Sequence, residues 1–170
     1  MKINTIVYTS NTGYTAQYAQ MLGEITGLPV WDLASRQAPK GSDIIYLGWL
    51  MAGNIQGYKK AARDYRIRAV AAVGMSATGS QVDYLRKTNA IPEEVPLYPV
   101  QGGFDLDRLH GVYKLMMTIM KNTAGKGLAD KADRTPEEDA LLDLLQNGGS
   151  RVREENLDGI LGWYEENKQA

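Results

Sequence analysis

The sequence predicts a three-layer α/β protein in which helices cover both faces of a five-stranded parallel sheet. Short apolar segments alternate with helix-like segments along most of the chain, which indicates parallel strands joined by right-handed crossovers. The segment Asp43–Gly48 is almost continuously apolar, as expected for a strand that is covered on both faces. At 170 residues the chain is predicted to form one domain, over residues 1–170.

The elements of this sheet follow in order from apolar spacing and turn residues. The strands are predicted at residues 3–8, 29–33, 43–48, 68–75 and 95–101. The connecting helices are predicted at residues 14–26, 57–65 and 80–89. Gly27 is expected to end the first helix, and Ser80 is expected to cap the third. Gly102 and Gly103 form a turn after the fifth strand, and Asp105 is predicted to cap the next helix.

An insertion over residues 106–134 follows the fifth strand. It is predicted as a methionine-rich helix, Leu106–Lys121, with a broad apolar face, followed by a charged loop, Thr123–Arg134, that contains two glycines. Residues 135–138, Thr-Pro-Glu-Glu, form a capping box with proline at the first helical position and predict a helix to Leu145. A last helix is predicted at residues 154–168.

Composition excludes several classes of function. The chain has no cysteine and one histidine, which removes disulfides, thiolate chemistry, zinc sites and iron–sulfur ligation, and no metal site is expected. A net charge of −1 does not favour nucleic acid as a partner. No apolar run approaches the roughly 20 residues of a membrane span, and no signal peptide precedes the first strand. We therefore expect a cytoplasmic protein that is not transmembrane.

The turn after the first strand is the most informative stretch of the chain. It offers backbone N–H groups, hydroxyl side chains and the positive end of a helix dipole, which together suit a phosphate. No Lys or Arg occurs from Ile3 to Gln20, so we expect a single phosphate monoester that is held and not transferred. A capped βα turn without ligand uses the same residue types. The predicted contacts are Ser10, Asn11, Thr12, Gly13, Tyr14 and Thr15.

The pattern of this turn, Ser/Thr-x-Thr-Gly-x-Thr, resembles the FMN-phosphate loop of the flavodoxin family. The matching residues are Ser10, Thr12, Gly13 and Thr15. The resemblance implies FMN as the cofactor, a flavodoxin-like strand order of 2-1-3-4-5, and a ligand at the carboxyl edge of the strands. The glycines of the dinucleotide-binding fingerprint and the Gly-Lys-Ser/Thr of the Walker loop are absent.

Two further loops resemble the flavin loops of that family. After the third strand come Trp49, Leu50, Met51, Ala52, Gly53 and Asn54. After the fourth strand come Ser76, Ala77, Thr78 and Gly79. Trp49 either stacks on the isoalloxazine ring or fills the core at a strand end. The second loop carries no charge before Asp83, which favours access to two-electron chemistry.

The insertion resembles that of the flavodoxin-like protoporphyrinogen oxidases that use a quinone, although theirs is more basic. The helix Leu106–Lys121 either packs on its own domain or offers a methionine-rich face to a flat ligand, a partner or the periphery of a membrane. The chain also lacks the strong acidity of mobile flavodoxin carriers.

Three functions therefore remain open. The first is electron transfer by bound FMN to a redox partner protein, and the second is two-electron oxidation of a substrate with a quinone acceptor. The third is a flavin-free interaction module. No residue is identified as a catalytic acid or base. A hydrolase is rejected because Thr78 replaces the second glycine of the nucleophile-elbow pattern that Gly74-Met75-Ser76 begins.

Overall fold

A computed structural model describes residues 2–168, and its central sheet has the predicted strand order. The elements are β1 (Thr5–Tyr8), α1 (Tyr14–Thr26), β2 (Val30–Asp32), β3 (Asp43–Met51), β4 (Asn54–Ile55), α2 (Tyr58–Asp64), β5 (Arg66–Gly74), α3 (Val82–Asn89), β6 (Leu97–Gln101), β7 (Gly103–Phe104), α4 (Gly111–Ala129), α5 (Pro136–Asn147), β8 (Gly149–Ser150) and α6 (Asp158–Asn167). The parallel strands lie in the order β2-β1-β3-β5-β6. Numbered along the chain, these five parallel strands give the order 2-1-3-4-5, so the flavodoxin-like α/β layout is confirmed.

Each face of the sheet buries its own apolar cluster. On one face Tyr18 and Leu22 of α1 and Ile160 of α6 pack on the sheet, and on the other Tyr58 of α2 and Leu85 of α3 do so. A third cluster joins α5 to β7 and α4, centred on Phe104, Leu144 and Leu145. Covering both faces explains why the central strands read as near-continuous apolar runs.

The third parallel strand is longer than predicted. β3 continues through Trp49, which pairs with Val73 of β5, and then through Leu50 to Met51, because its end turns back into β4, where Leu50 pairs with Ile55. Ala52 and Gly53 both adopt left-handed backbone angles, φ 48° and φ 77°, as a two-residue hairpin turn requires. The first residues of the predicted flavin loop are therefore part of a strand and hairpin, which fixes their positions.

The predicted cap of α3 is wrong. The helix begins at Val82, and Gln81 occupies the capping position with φ 62° and no side-chain cap. The hydroxyl of Ser80 instead donates to the carbonyl of Ala77 at 2.6 Å, which closes the turn before the helix.

The insertion is also more helical than predicted. Asp105 does cap a short 3-10 turn, Leu106–Arg108, as expected, but the long helix α4 begins only at Gly111. It continues to Ala129, so the loop predicted from Thr123 is wrong. Gly125 lies buried inside the helix, close to Leu145 of α5, and this close packing offsets the low helix propensity of glycine. The capping box at Thr135 is confirmed, with both reciprocal hydrogen bonds present.

Candidate ligand-binding site

A cavity of about 440 Å³ opens at the carboxyl ends of β1, β3 and β5. Its volume falls within the range of small-molecule sites, and ligands of doubly wound α/β folds bind at this edge. The loops after all three strands contribute to its walls. The predicted site residues that line it are Asn11, Thr12, Tyr14, Thr15, Trp49, Leu50, Met51, Ala52, Gly53 and Ser76.

The turn between β1 and α1 presents uncapped backbone N–H groups to one end of this cavity. Gly13 precedes the helix with φ 97°, and no side chain caps the first turn. Thr15 is only 1% exposed and lines the cavity, so its remaining open surface faces the cavity. Within residues 2–168 we find no hydrogen-bond partner for the hydroxyl of Thr12 or Thr15. This end therefore holds donors that lack a protein acceptor.

Two predicted residues of this turn shape it and do not line the cavity. The hydroxyl of Ser10 accepts a hydrogen bond from the N–H of Gly13 at 3.2 Å. Gly13 supplies the left-handed conformation that the turn needs before the helix, which glycine adopts at little cost. Ser10 and Gly13 thus hold the turn in the shape that places Thr12 and Thr15 in the wall of the cavity.

The loop after β5 contributes less of the wall than predicted. Ser76 lines the cavity, whereas Ala77, Thr78, Gly79 and also Asn54 of the β3–β4 hairpin lie outside its lining. The hydroxyl of Thr78 donates to Asn156 at 2.8 Å and accepts from the N–H of Gln101 at 3.0 Å. Because both hydrogen bonds are made within the protein, Thr78 braces the loop against β6 and the C-terminal segment.

Trp49 lies where the loops that line the cavity contact the inserted helix, α4. Its ring meets the Tyr113 ring edge to face, with centroids 5.2 Å apart and an angle of 85°. Such pairs stabilise by more than the apolar area that they bury. Met117 and Met120 line the cavity from α4, and Met116 lines it while remaining 43% exposed. The inserted helix therefore packs on its own domain and at the same time forms a wall of the cavity.

Hydrogen bonds from Tyr46, Thr9 and Asn89 connect the ends of the strands beneath the site. The Tyr46 hydroxyl donates to the carbonyl of Gln56 at 2.6 Å, and the Thr9 hydroxyl donates to the same carbonyl at 2.8 Å. Burial raises the pKa of Tyr46 far above its usual value, so the hydroxyl stays protonated as a donor. From the other side, Asn89 accepts from the N–H of Ile55 and donates to the carbonyl of Gly53. These bonds hold the β3–β4 hairpin in place.

Arg108 lies beside this site, outside the lining of the cavity, and the sequence pattern did not reveal it. Its Nη1 donates to the carbonyl of Thr12 at 3.2 Å, and its guanidinium lies 5.8 Å from the centre of the Tyr14 ring. Its Nε also forms an ion pair with Asp105 at 3.2 Å. The turn lacks basic residues in sequence, yet the insertion brings one to it in space. One general rule pointed to this contact: the chain leaves the fifth parallel strand at the sheet edge where the turn after the first strand also lies.

The titratable groups of the cavity are few. Asp105 is the one charged side chain among the lining residues of the described chain. Burial and the nearby Asp105 raise the pKa of Tyr14, and Arg108 opposes that change. The hydroxyl of Ser76 lies 3.4 Å from the amide of Gln81, and His110 is exposed at the start of α4, so no Ser–His pair forms. No group of three or more potential metal ligands occurs within residues 2–168.

No protein-family model matches this chain, and no similar curated protein or solved structure was found. No helix within residues 2–168 has the length and apolar character needed to cross a bilayer. What the cavity binds must therefore be inferred from its residues and their geometry.

Proposed function

We propose that this chain binds FMN in the cavity and serves as a flavodoxin-like redox protein. The observation that carries the proposal is the polar end of a cavity whose other walls are mostly apolar: Asn11, Thr12 and Thr15 of the β1–α1 turn line that end, and neither threonine hydroxyl has a hydrogen-bond partner within residues 2–168. A ligand that satisfies it needs a hydrogen-bonding group at one end and an apolar, flat body at the other. FMN, with a phosphate and an aromatic ring system, has this division.

The phosphate of FMN fits the end formed by the first turn of α1. The N–H groups of that turn and the hydroxyls of Thr12 and Thr15 can donate to phosphate oxygens, and the helix dipole favours negative charge there. Charge-assisted hydrogen bonds of this kind are stronger than those between neutral groups. The riboflavin part of the ligand would gain nothing from these donors.

The isoalloxazine ring fits the opposite end, between the β3–β4 hairpin and α4. Trp49, Leu50 and Met117 supply apolar contact surface, and the small residues Ala52 and Gly53 let the hairpin backbone approach a ring. The Tyr46 and Asn89 hydrogen bonds beneath the hairpin keep this wall rigid. Bound FMN would supply one- or two-electron transfer, and the protein would orient it and exclude water.

Two redox roles remain as proposals at this site. Electron transfer to a redox partner protein requires only an accessible edge of the flavin. Two-electron oxidation of a substrate with a quinone acceptor requires further apolar room. The methionine side chains of α4, which continue the cavity beyond the three strand loops, favour this second role because such faces adapt to flat ligands. A flavin-free interaction module is the competing proposal of another class.

A comparison of FMN with riboflavin tests the proposal. The protein is stripped of small molecules and titrated with each flavin while flavin fluorescence is followed. We expect one FMN per chain and an affinity for FMN at least about tenfold above that for riboflavin, since a single hydrogen bond to a charged group contributes roughly 1.5–3 kcal/mol. Equal affinities would contradict the placement of the phosphate, and no binding of either flavin would favour the interaction module.

A further inference from the structure

We propose that Arg108 is a cationic contact of the phosphate end and that Asp105 competes with the ligand phosphate for it. This inference rests on the proposed binding of FMN and extends it to a residue outside the phosphate loop. The two side chains come from the segment between β7 and α4, which reaches the turn before α1 across 96 positions of sequence. Together they would set how strongly the site prefers a phosphorylated ligand over its dephosphorylated form.

The position of the guanidinium supports a direct role. Nη1 of Arg108 lies 3.2 Å from the carbonyl oxygen of Thr12 and 3.8 Å from the point where a Cβ on Gly13 would stand. Its contacts within the described chain engage Nε and Nη1, which leaves the Nη2 donors for a third acceptor. The side chain is 54% exposed, so it can turn towards a ligand without disturbing the core.

The carboxylate of Asp105 competes with a ligand phosphate for the guanidinium of Arg108. It lines the cavity and holds Nε of Arg108 at 3.2 Å, so the two charges largely cancel while they are paired. A phosphate dianion beside the turn would attract the guanidinium and repel the carboxylate. Removal of the cation and removal of the anion should therefore change FMN affinity in opposite directions, whereas a purely structural role of the pair predicts losses for both.

The test uses the full-length chain and its Arg108→Gln and Asp105→Asn variants, each titrated with FMN and with riboflavin. We expect Arg108→Gln to weaken FMN binding by about threefold to tenfold, a modest effect because the side chain is partly exposed. Asp105→Asn should strengthen FMN binding by about twofold to fivefold, since Asn still caps the 3-10 turn. Riboflavin affinity should remain within about twofold for both variants because it carries no phosphate.

Two further measurements sharpen the result. The effect of Arg108→Gln on FMN binding should shrink between low and high salt, about 0.02 and 0.5 M, because exposed charges are screened. Arg66→Gln is the matched control, since Arg66 also pairs with an aspartate, Asp43, but lies at the start of β5, at the opposite edge of the sheet. It should leave the affinity for both flavins unchanged.

The outcomes separate this inference from the proposed function. If wild type prefers FMN but Arg108→Gln preserves that preference in full, the loop alone holds the phosphate and the role of Arg108 is refuted. Equal losses for FMN and riboflavin in Arg108→Gln would also refute it, because Arg108 would then position the turn. Weaker FMN binding by Asp105→Asn would refute the competition. A wild type that binds neither flavin would overturn the proposed function itself.

Discussion

The replacement of Thr15 by valine removes one donor from the phosphate end of the cavity. The hydroxyl has no hydrogen-bond partner within the described chain, so its loss leaves no protein group unsatisfied, and the fold should be retained. A hydrogen bond to a charged group contributes roughly 1.5–3 kcal/mol, which corresponds to FMN binding weakened by about tenfold to 150-fold. Riboflavin affinity should stay nearly unchanged. The Thr12→Val, Thr15→Val double variant should lose more FMN affinity than either single variant.

The assay is a fluorescence titration of each variant with both flavins, accompanied by urea unfolding to show that the fold is intact. Thr26→Val is the control, because Thr26 ends the same helix and its hydroxyl donates to the carbonyl of Leu22 at 2.6 Å, far from the cavity. It should not alter the affinity for either flavin. An equal loss of FMN and riboflavin affinity in Thr15→Val would refute the assignment of this end to the phosphate.

Three further predictions concern the ring wall, the turn before α2 and the amino-terminal edge of the sheet. Protein fluorescence should fall when FMN is added, and Trp49→Ala should lose most of that quenching, because Trp49 lines the cavity. Gly57→Ala should lower the free energy of unfolding in urea by roughly 2–4 kcal/mol, since φ is 79° and the new Cβ would lie 2.3 Å from the Tyr46 hydroxyl oxygen. Asp43→Asn should destabilise by about 1 kcal/mol at neutral pH but not near pH 2, because hydrogen bonds from Arg66 and Arg68 lower the pKa of Asp43 from 3.8 to about 2.

Each of these has a result that would contradict it. If Trp31→Phe or Trp163→Phe removes the quenching instead, Trp49 is not beside the ring. Gly27→Ala is the control for Gly57, because Gly27 has a similar φ of 72° but no atom within 4 Å of its added Cβ. It should cost about 1 kcal/mol, and an equal cost at both glycines would exclude the steric contribution. The stabilisation from a depressed pKa is complete above the unfolded value of 3.8 and is lost as the pH falls through the folded value of about 2, so an Asp43 effect that persists undiminished near pH 2 would be inconsistent with ionisation.

Local signals account for the parts of the fold that the sequence predicted. Apolar runs and crossover rules predicted the parallel strands, and the resemblance of the β1–α1 turn to the flavodoxin family implied their order. Gly27 and the Thr135 capping box marked helix ends because each satisfies backbone groups within a few residues. The hydroxyl-rich turn before α1 could also be predicted, because its residues are consecutive in the sequence. These features depend on contacts between residues that are close in sequence.

The parts that the sequence did not predict depend on contacts between distant segments. β3 reaches Trp49 by pairing with Val73 of β5 and continues through Leu50 and Met51 by pairing with β4. The helix α4 continues past Gly125 because α5 packs against it. Arg108 reaches the turn before α1 only because β7 and the 3-10 turn leave the sheet at the cavity edge. No apolar periodicity or short motif indicates that two distant segments lie close together in the fold. The positive charge that Arg108 brings to the turn could therefore not be predicted from the sequence of the turn.

The absorption spectrum of the purified protein tests the proposed FMN binding most directly. We predict that the protein, as purified or after incubation with FMN and gel filtration, shows the visible bands of a flavin, and that acid releases one FMN per chain. Riboflavin treated in the same way should be largely lost on the column, because it lacks the phosphate that the α1 turn and Thr15 would hold. A colourless protein that retains no FMN after incubation with excess would contradict the proposal and leave the interaction module as the better description.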